Sequence, residues 1–195
     1  MPNASRARAA ITALTLLTFV PAAAASESPI VPSSSVRAET AGMKRLIADG
    51  TAGSASFRAL VDVINQSDLI VYVRCRLFSE HEQRGRLGLV QATGARRFAV
   101  IEIACYQPYR EQLALLAHEL QHAVEIASAP WVVDTRTFAQ FYAAIGELVR
   151  SDAWARAYET KAAVAQAQRV RLELLDADKA RVTARVAAPN ATLRE

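Results

Sequence analysis

Two of the three histidines in this 195-residue chain, His118 and His122, stand four residues apart, with Glu119 directly after the first. On a helix, positions i and i+4 share one side, a turn apart, so both imidazoles can converge on a single ion. Neutral imidazole nitrogen is a good zinc ligand. Glu119 projects about 100° around the helix from His118. From there it reaches a water that the ion polarises without ligating the ion, which is the geometry of a general base in metal-assisted hydrolysis. Glu125 lies on the same side, but seven residues separate it from His118, about 10 Å along a straight helix. No Gly or Pro breaks the segment between them. Glu125 therefore reads as a residue behind the ligands or in solvent, not as a third ligand.

These residues need a helix that is held from behind. Leu113, Leu116, Leu120 and Val124 form one apolar stripe, enough to dock the helix on a sheet, while Leu115, His118, His122 and Glu125 form a second stripe rotated away from it. Upstream, Phe57, Leu60, Val61 and Ile64 have helical spacing. Val71, Val73, Cys75 and Leu77 alternate with Tyr72, Arg74 and Arg76, the period of a strand with one face in a core. Residues 85–105 read as a hairpin turning at Gly94, and Pro108 closes the sheet segment. Downstream, residues 137–149 and 153–175 read as two further helices. The expected fold is α+β: a small, mostly antiparallel sheet of three strands or slightly more, packed against the His-bearing helix and further C-terminal helices.

At this point the chain resembles the zincin metallopeptidases, whose active-site helix follows a small twisted sheet and carries the HExxH pattern seen here as HELQH, residues 118–122. The resemblance covers roughly residues 68–175. It implies that His118 and His122 bind Zn²⁺ and that Glu119 is the catalytic base. The metzincin branch is excluded, because Glu125 stands at its glycine position and Ser128 at its last histidine position. The gluzincin branch supplies a glutamate from a later helix, and here that implies Glu159. Glu159 falls among small residues, Ala155, Ala162 and Ala163, which let one helix approach another closely. It is also followed by Ala162 three residues on, as in the second gluzincin motif. Glu147 points away from the face formed by Phe138, Phe141, Tyr142 and Ile145 and reads as solvated. Glu147 and Asp134 are the remaining candidates for third ligand. The aspartate that gluzincins often carry four residues after the glutamate is Ala163 here. Such an aspartate orients a ligating histidine, a task left to Glu125, Asp134 or Asp152. Tyr106, Tyr109, Tyr142 and Tyr158 are candidate oxyanion donors; His81 reads as a loop histidine.

The remaining features bear on compartment and partners. Residues 1–25 have a basic start (Arg6, Arg8), a 12-residue apolar run and small residues near Ala25, the layout of a signal peptide. Cleavage near Ala25 predicts an exported protein, periplasmic or secreted, without a membrane span in its mature form. It also lowers the net charge from +4 to +2. No basic stripe interleaved with aromatics is present, so nucleic acid is not expected as a partner. The expected partner is a peptide or protein substrate. Residues 26–54, which begin rich in Ser and Pro, read as a flexible lead-in, 55–183 as the zincin-like domain, and 184–195 as a frayed tail. Cys75 and Cys105 can pair in an oxidising compartment or remain as two small buried hydrophobes. The function expected is zinc-dependent hydrolysis of peptides. The alternative is a non-catalytic zincin-like envelope protein with a structural zinc or a binding role, which the missing aspartate favours.

Overall fold

The structure, a computed structural model, describes residues 34–79, 83–151 and 156–187. The leader expected at 1–25, His81, Asp152 and the last eight residues lie outside them.

Four strands form one sheet in the order β1-β2-β4-β3: β1 (Val36–Ala38), β2 (Leu69–Arg76), β3 (Gly85–Thr93) and β4 (Arg96–Ala104). Two of its pairings, β1 with β2 and β2 with β4, are parallel, and β3–β4 alone is antiparallel. The expectation of a mostly antiparallel sheet is corrected here. The hairpin was legible because its turn is local, and Gly94 does take the left-handed conformation, at φ 57°. The parallel pairings are set by crossovers, which leave no short-range signal.

The flexible lead-in is corrected as well. Residues 36–38 pair with Val71–Val73, and α1 (Ala41–Gly53) follows at once. The Thr40 side chain caps α1 by accepting from the Met43 N–H, and Met43 and Leu46 are buried. Ser54 ends α1 and caps α2 (Ala55–Asn65), whose Phe57, Leu60, Val61 and Ile64 enter the core as their spacing requires. A three-residue strand is too short for any periodicity to reveal; β1 exists because the neighbouring edge of β2 satisfies its backbone.

Helix α3 (Tyr109–Ala127) packs on the sheet through Leu113, Leu116 and Leu120 against Val71, Ile101 and Ile103. Its entry is tied by the Gln112 side-chain amide, which donates to the Cys105 and Gln107 carbonyls. Its exit is gripped by Arg97. This guanidinium, 2% exposed, donates to the Ile126, Ala129 and Val132 carbonyls and pairs with Asp68 at 2.7 Å. A cation among the last carbonyls of a helix satisfies acceptors that have no intrahelical partner. A disulfide, Cys75–Cys105, joins the ends of β2 and β4. Closing a loop of this size stabilises the fold by about 3–4 kcal/mol on the chain-entropy account.

Beyond α3, α4 (Thr135–Ile145) is followed by a second small sheet, β5 (Glu147–Ser151) paired antiparallel with β6 (Arg156–Glu159). The helix expected over 137–149 therefore ends at Ile145, the one expected over 153–175 begins only at Lys161, and Leu148 and Val149 are exposed on β5 instead of buried on a helix. The last helix, α5 (Lys161–Ala187), lies along α3, burying Ala163, Ala167, Val170 and Leu174. It continues past residue 183, where a frayed tail was expected.

Candidate functional site

His118, His122 and Glu159 come together on the side of α3 turned away from the sheet. One nitrogen from each ring and one carboxylate oxygen lie within 4.8 Å of one another. His118 Nε2 is 3.1 Å from Glu159 Oε2, and His122 Nε2 is 3.5 Å from Glu159 Oε1. Around a tetrahedral ion with ligands at about 2.1 Å, neighbouring donors sit about 3.4 Å apart. The spacing of the side chains therefore suits a small divalent cation, and the His₂Glu donor set suits zinc among others.

Glu159 reaches this point by a different route from the one its neighbours suggest. It is the last residue of β6, not part of a helix, while Ala162 and Ala163 belong to α5; Ala155 lies outside the described residues. The backbone N–H of Thr160 donates to its Oε1 at 2.8 Å. The other two candidates for third ligand are placed elsewhere. Glu147 is exposed and pairs with Lys161. Asp134 caps α4 by accepting from the Thr137 N–H.

Behind His118, His122 and Glu159 lies a polar network. Glu125 Oε2 is 2.9 Å from His122 Nδ1. An ionised carboxylate only accepts, so His122 donates its Nδ1–H to Glu125, and Nε2, once deprotonated, is the nitrogen left to bind a cation. Glu125 Oε1 accepts in turn from the Thr160 hydroxyl at 2.7 Å, and the same hydroxyl oxygen accepts from the Ala163 N–H at the start of α5. Tyr142 donates its hydroxyl to the His122 carbonyl at 2.9 Å. Glu125 thus fixes the orientation of His122 from one turn beyond it. Thr160 carried no sequence signal, since it lay inside the helix expected over 153–175.

Glu119 is 5% exposed and turned toward the sheet. A methyl group built on Gly85 would lie 2.6 Å from Glu119 Oε1, so the carboxylate rests against the backbone at the start of β3. A side chain at position 85 would push the carboxylate out of this place. Burial pushes Glu119 up to about 7, against the charges of His122 and His118. For His122, burial opposes the charged form, but hydrogen bonds to Glu125 and Glu159 prevail and raise it to about 9. For Glu159, burial is outweighed by hydrogen bonds to His118 and His122, which hold it down near about 2. Three carboxylates and two imidazoles thus share one part-buried cluster. Among the described residues the ion pairs to Glu125 and Glu159 come from His118 and His122, not from Lys or Arg.

A shallow cleft opens beside Glu159, lined by Glu125, Ile145, Glu147, Lys161, Val164 and Gln168. Ile145 and Val164 expose apolar side chains there. No described helix is long and apolar enough to cross a membrane. Comparison with family models, curated proteins and solved structures finds no match to this chain.

Proposed function

We propose that the protein is a zinc-dependent hydrolase of zincin type, of the gluzincin kind, acting on peptides. The observation that carries this reading is the convergence of His118, His122 and Glu159 with a buried carboxylate, Glu119, one residue along from the first histidine. His118, His122 and Glu159 would hold the ion. A zinc ion bound there would supply Lewis acidity, acidifying a water and polarising a carbonyl.

Glu119 takes the proton from the attacking water as the oxygen adds to the carbonyl carbon. It then passes that proton to the leaving amine as the C–N bond breaks. Glu125 and Thr160 keep His122 in the tautomer that presents Nε2.

The position of Glu119 also supports a peptide as substrate. It sits against the first residue of β3, the edge strand of the main sheet. An extended chain adding to that edge would bring its own backbone carbonyls past the base.

The test is zinc content per chain by elemental mass spectrometry after dialysis, followed by cleavage of a peptide library. One tightly held zinc, with cleavage that Glu119→Gln abolishes, is expected. A protein that neither retains nor regains zinc, or a Glu119→Gln variant that cleaves as well as wild type, overturns the proposal. Zinc retained with no cleavage of any peptide would favour the non-catalytic alternative.

A further inference from the structure

Helix α5 has two apolar faces, and the fold uses one. Ala163, Ala167, Val170 and Leu174 are buried against the body of the protein. Roughly opposite, at about 130° around the helix, a second stripe faces solvent: Leu172 (53% exposed), Leu175 (38%), Val182 (63%) and Val186 (66%). These four, with Gln168 and Lys179 completing the series, fall on the a and d positions of a seven-residue repeat. A helix end carrying such a seam alone in water is unfavourable, because each exposed leucine forgoes about 1.5–3 kcal/mol of burial.

We infer that this seam is a self-association surface, on which α5 pairs antiparallel with α5 of a second copy of the chain. The charges beside the seam choose both direction and register. With Leu172 of one copy opposite Leu175 of the other, Gln168 faces the second copy's Lys179. Arg169 then flanks the second copy's Asp176 on one side, and Arg171 flanks its Asp178 on the other. Two-fold symmetry repeats each pairing. Sliding one heptad in one direction sets Asp176 against Asp176 and Asp178 against Asp178. Sliding in the other sets Arg169 against Arg169 and Arg171 against Arg171. A parallel pair would place Lys179 against Lys179 inside the seam. Only the first arrangement sets both arginines against aspartates with no like charges meeting.

The two flanks are not equivalent. Arg171 already holds Glu111, and Asp178 already accepts from Arg110, within the same chain. Arg169 and Asp176 are exposed, Asp176 pairing with its neighbour Lys179 among the described residues. The Arg169–Asp176 flank therefore discriminates most between registers.

Sedimentation velocity of the purified protein over a wide concentration range tests this. A monomer–dimer equilibrium is expected. Leu172→Glu should weaken the dimer by at least about tenfold while circular dichroism stays unchanged, since Leu172 is not part of the core. Asp176→Arg and Arg169→Asp should each weaken it about tenfold, and the double variant should restore it, because the swap re-forms the pair with its signs exchanged. A protein that stays monomeric at every concentration overturns the inference. So does a dimer indifferent to Leu172→Glu, or one in which the double variant is weaker than either single change.

Discussion

The molecule buries carboxylates in two places and treats them in opposite ways. On the outer face of the sheet, Glu102 is enclosed by Arg74, Arg76 and Arg86; Arg74 Nη2 lies at 2.7 Å. Burial opposes its ionisation, but hydrogen bonds from Arg74 and Arg86 outweigh that and lower its pKa. On α3 and β6, Glu119, Glu125 and Glu159 cluster around two imidazoles, and among the described residues the ion pairs there come from histidine. The first group is neutralised by permanent cations of its own chain and is structural. The second group carries an excess of negative charge that a divalent cation would offset. A buried charge costs stability unless it is paired, so the second group is the less well compensated of the two.

The largest expected break in this contrast is Glu119→Gln. Peptide cleavage should fall by about a thousandfold, a typical loss for a general base, with zinc content unchanged. The metal-free variant should also melt higher than wild type at neutral pH and above, because one buried, uncompensated carboxylate has gone; a lower melting temperature would refute the imbalance.

Gly85→Ala tests the placing of Glu119. The added methyl forces the carboxylate away, and kcat should drop by about a hundredfold with zinc affinity intact; loss of zinc instead would show that Gly85 serves the fold. Glu125→Gln should lower zinc affinity by about 10–100-fold, measured by competition with a chelator, since an amide holds the imidazole less firmly.

At the sheet, Glu102→Gln should destabilise the protein by about 2 kcal/mol in urea denaturation, without altering zinc content. The pH dependence follows the same carboxylate. Its folded pKa lies below the ordinary value of 4.5, so its stabilisation is complete above that value and is lost as pH falls through the folded pKa. Asp68, lowered by its hydrogen bonds from Arg97 against the effect of burial, behaves alike below 3.8. The acid limb of melting temperature against pH should therefore be shallower in Glu102→Gln than in wild type.

Local signals in the chain were reliable where a single element carried them. The helical period of residues 57–64, the hairpin at Gly94 and the i, i+4 histidines on α3 each depend on neighbours within a turn or two. Glu159 shows the limit. It was singled out as a helical residue among alanines, yet it is the end of a strand whose partner, β5, had been read as helix. Its approach to the histidines depends on the β5–β6 hairpin and on Thr160, and neither has a period to detect. Glu125 was recognisable as lying behind the ligands, but not as the partner of His122 in particular.

By itself, the order of residues determined that α3 would present two imidazoles and a carboxylate on known faces, because helical geometry fixes side-chain direction within a few residues. It also determined an α+β chain with a core sufficient for one domain. Only the tertiary structure decided that the sheet would be mostly parallel, that Cys75 and Cys105 would meet, and that Glu159 would close the site. Each of these joins residues about thirty or more positions apart, and such contacts are selected by the packing of whole elements, which no local pattern encodes.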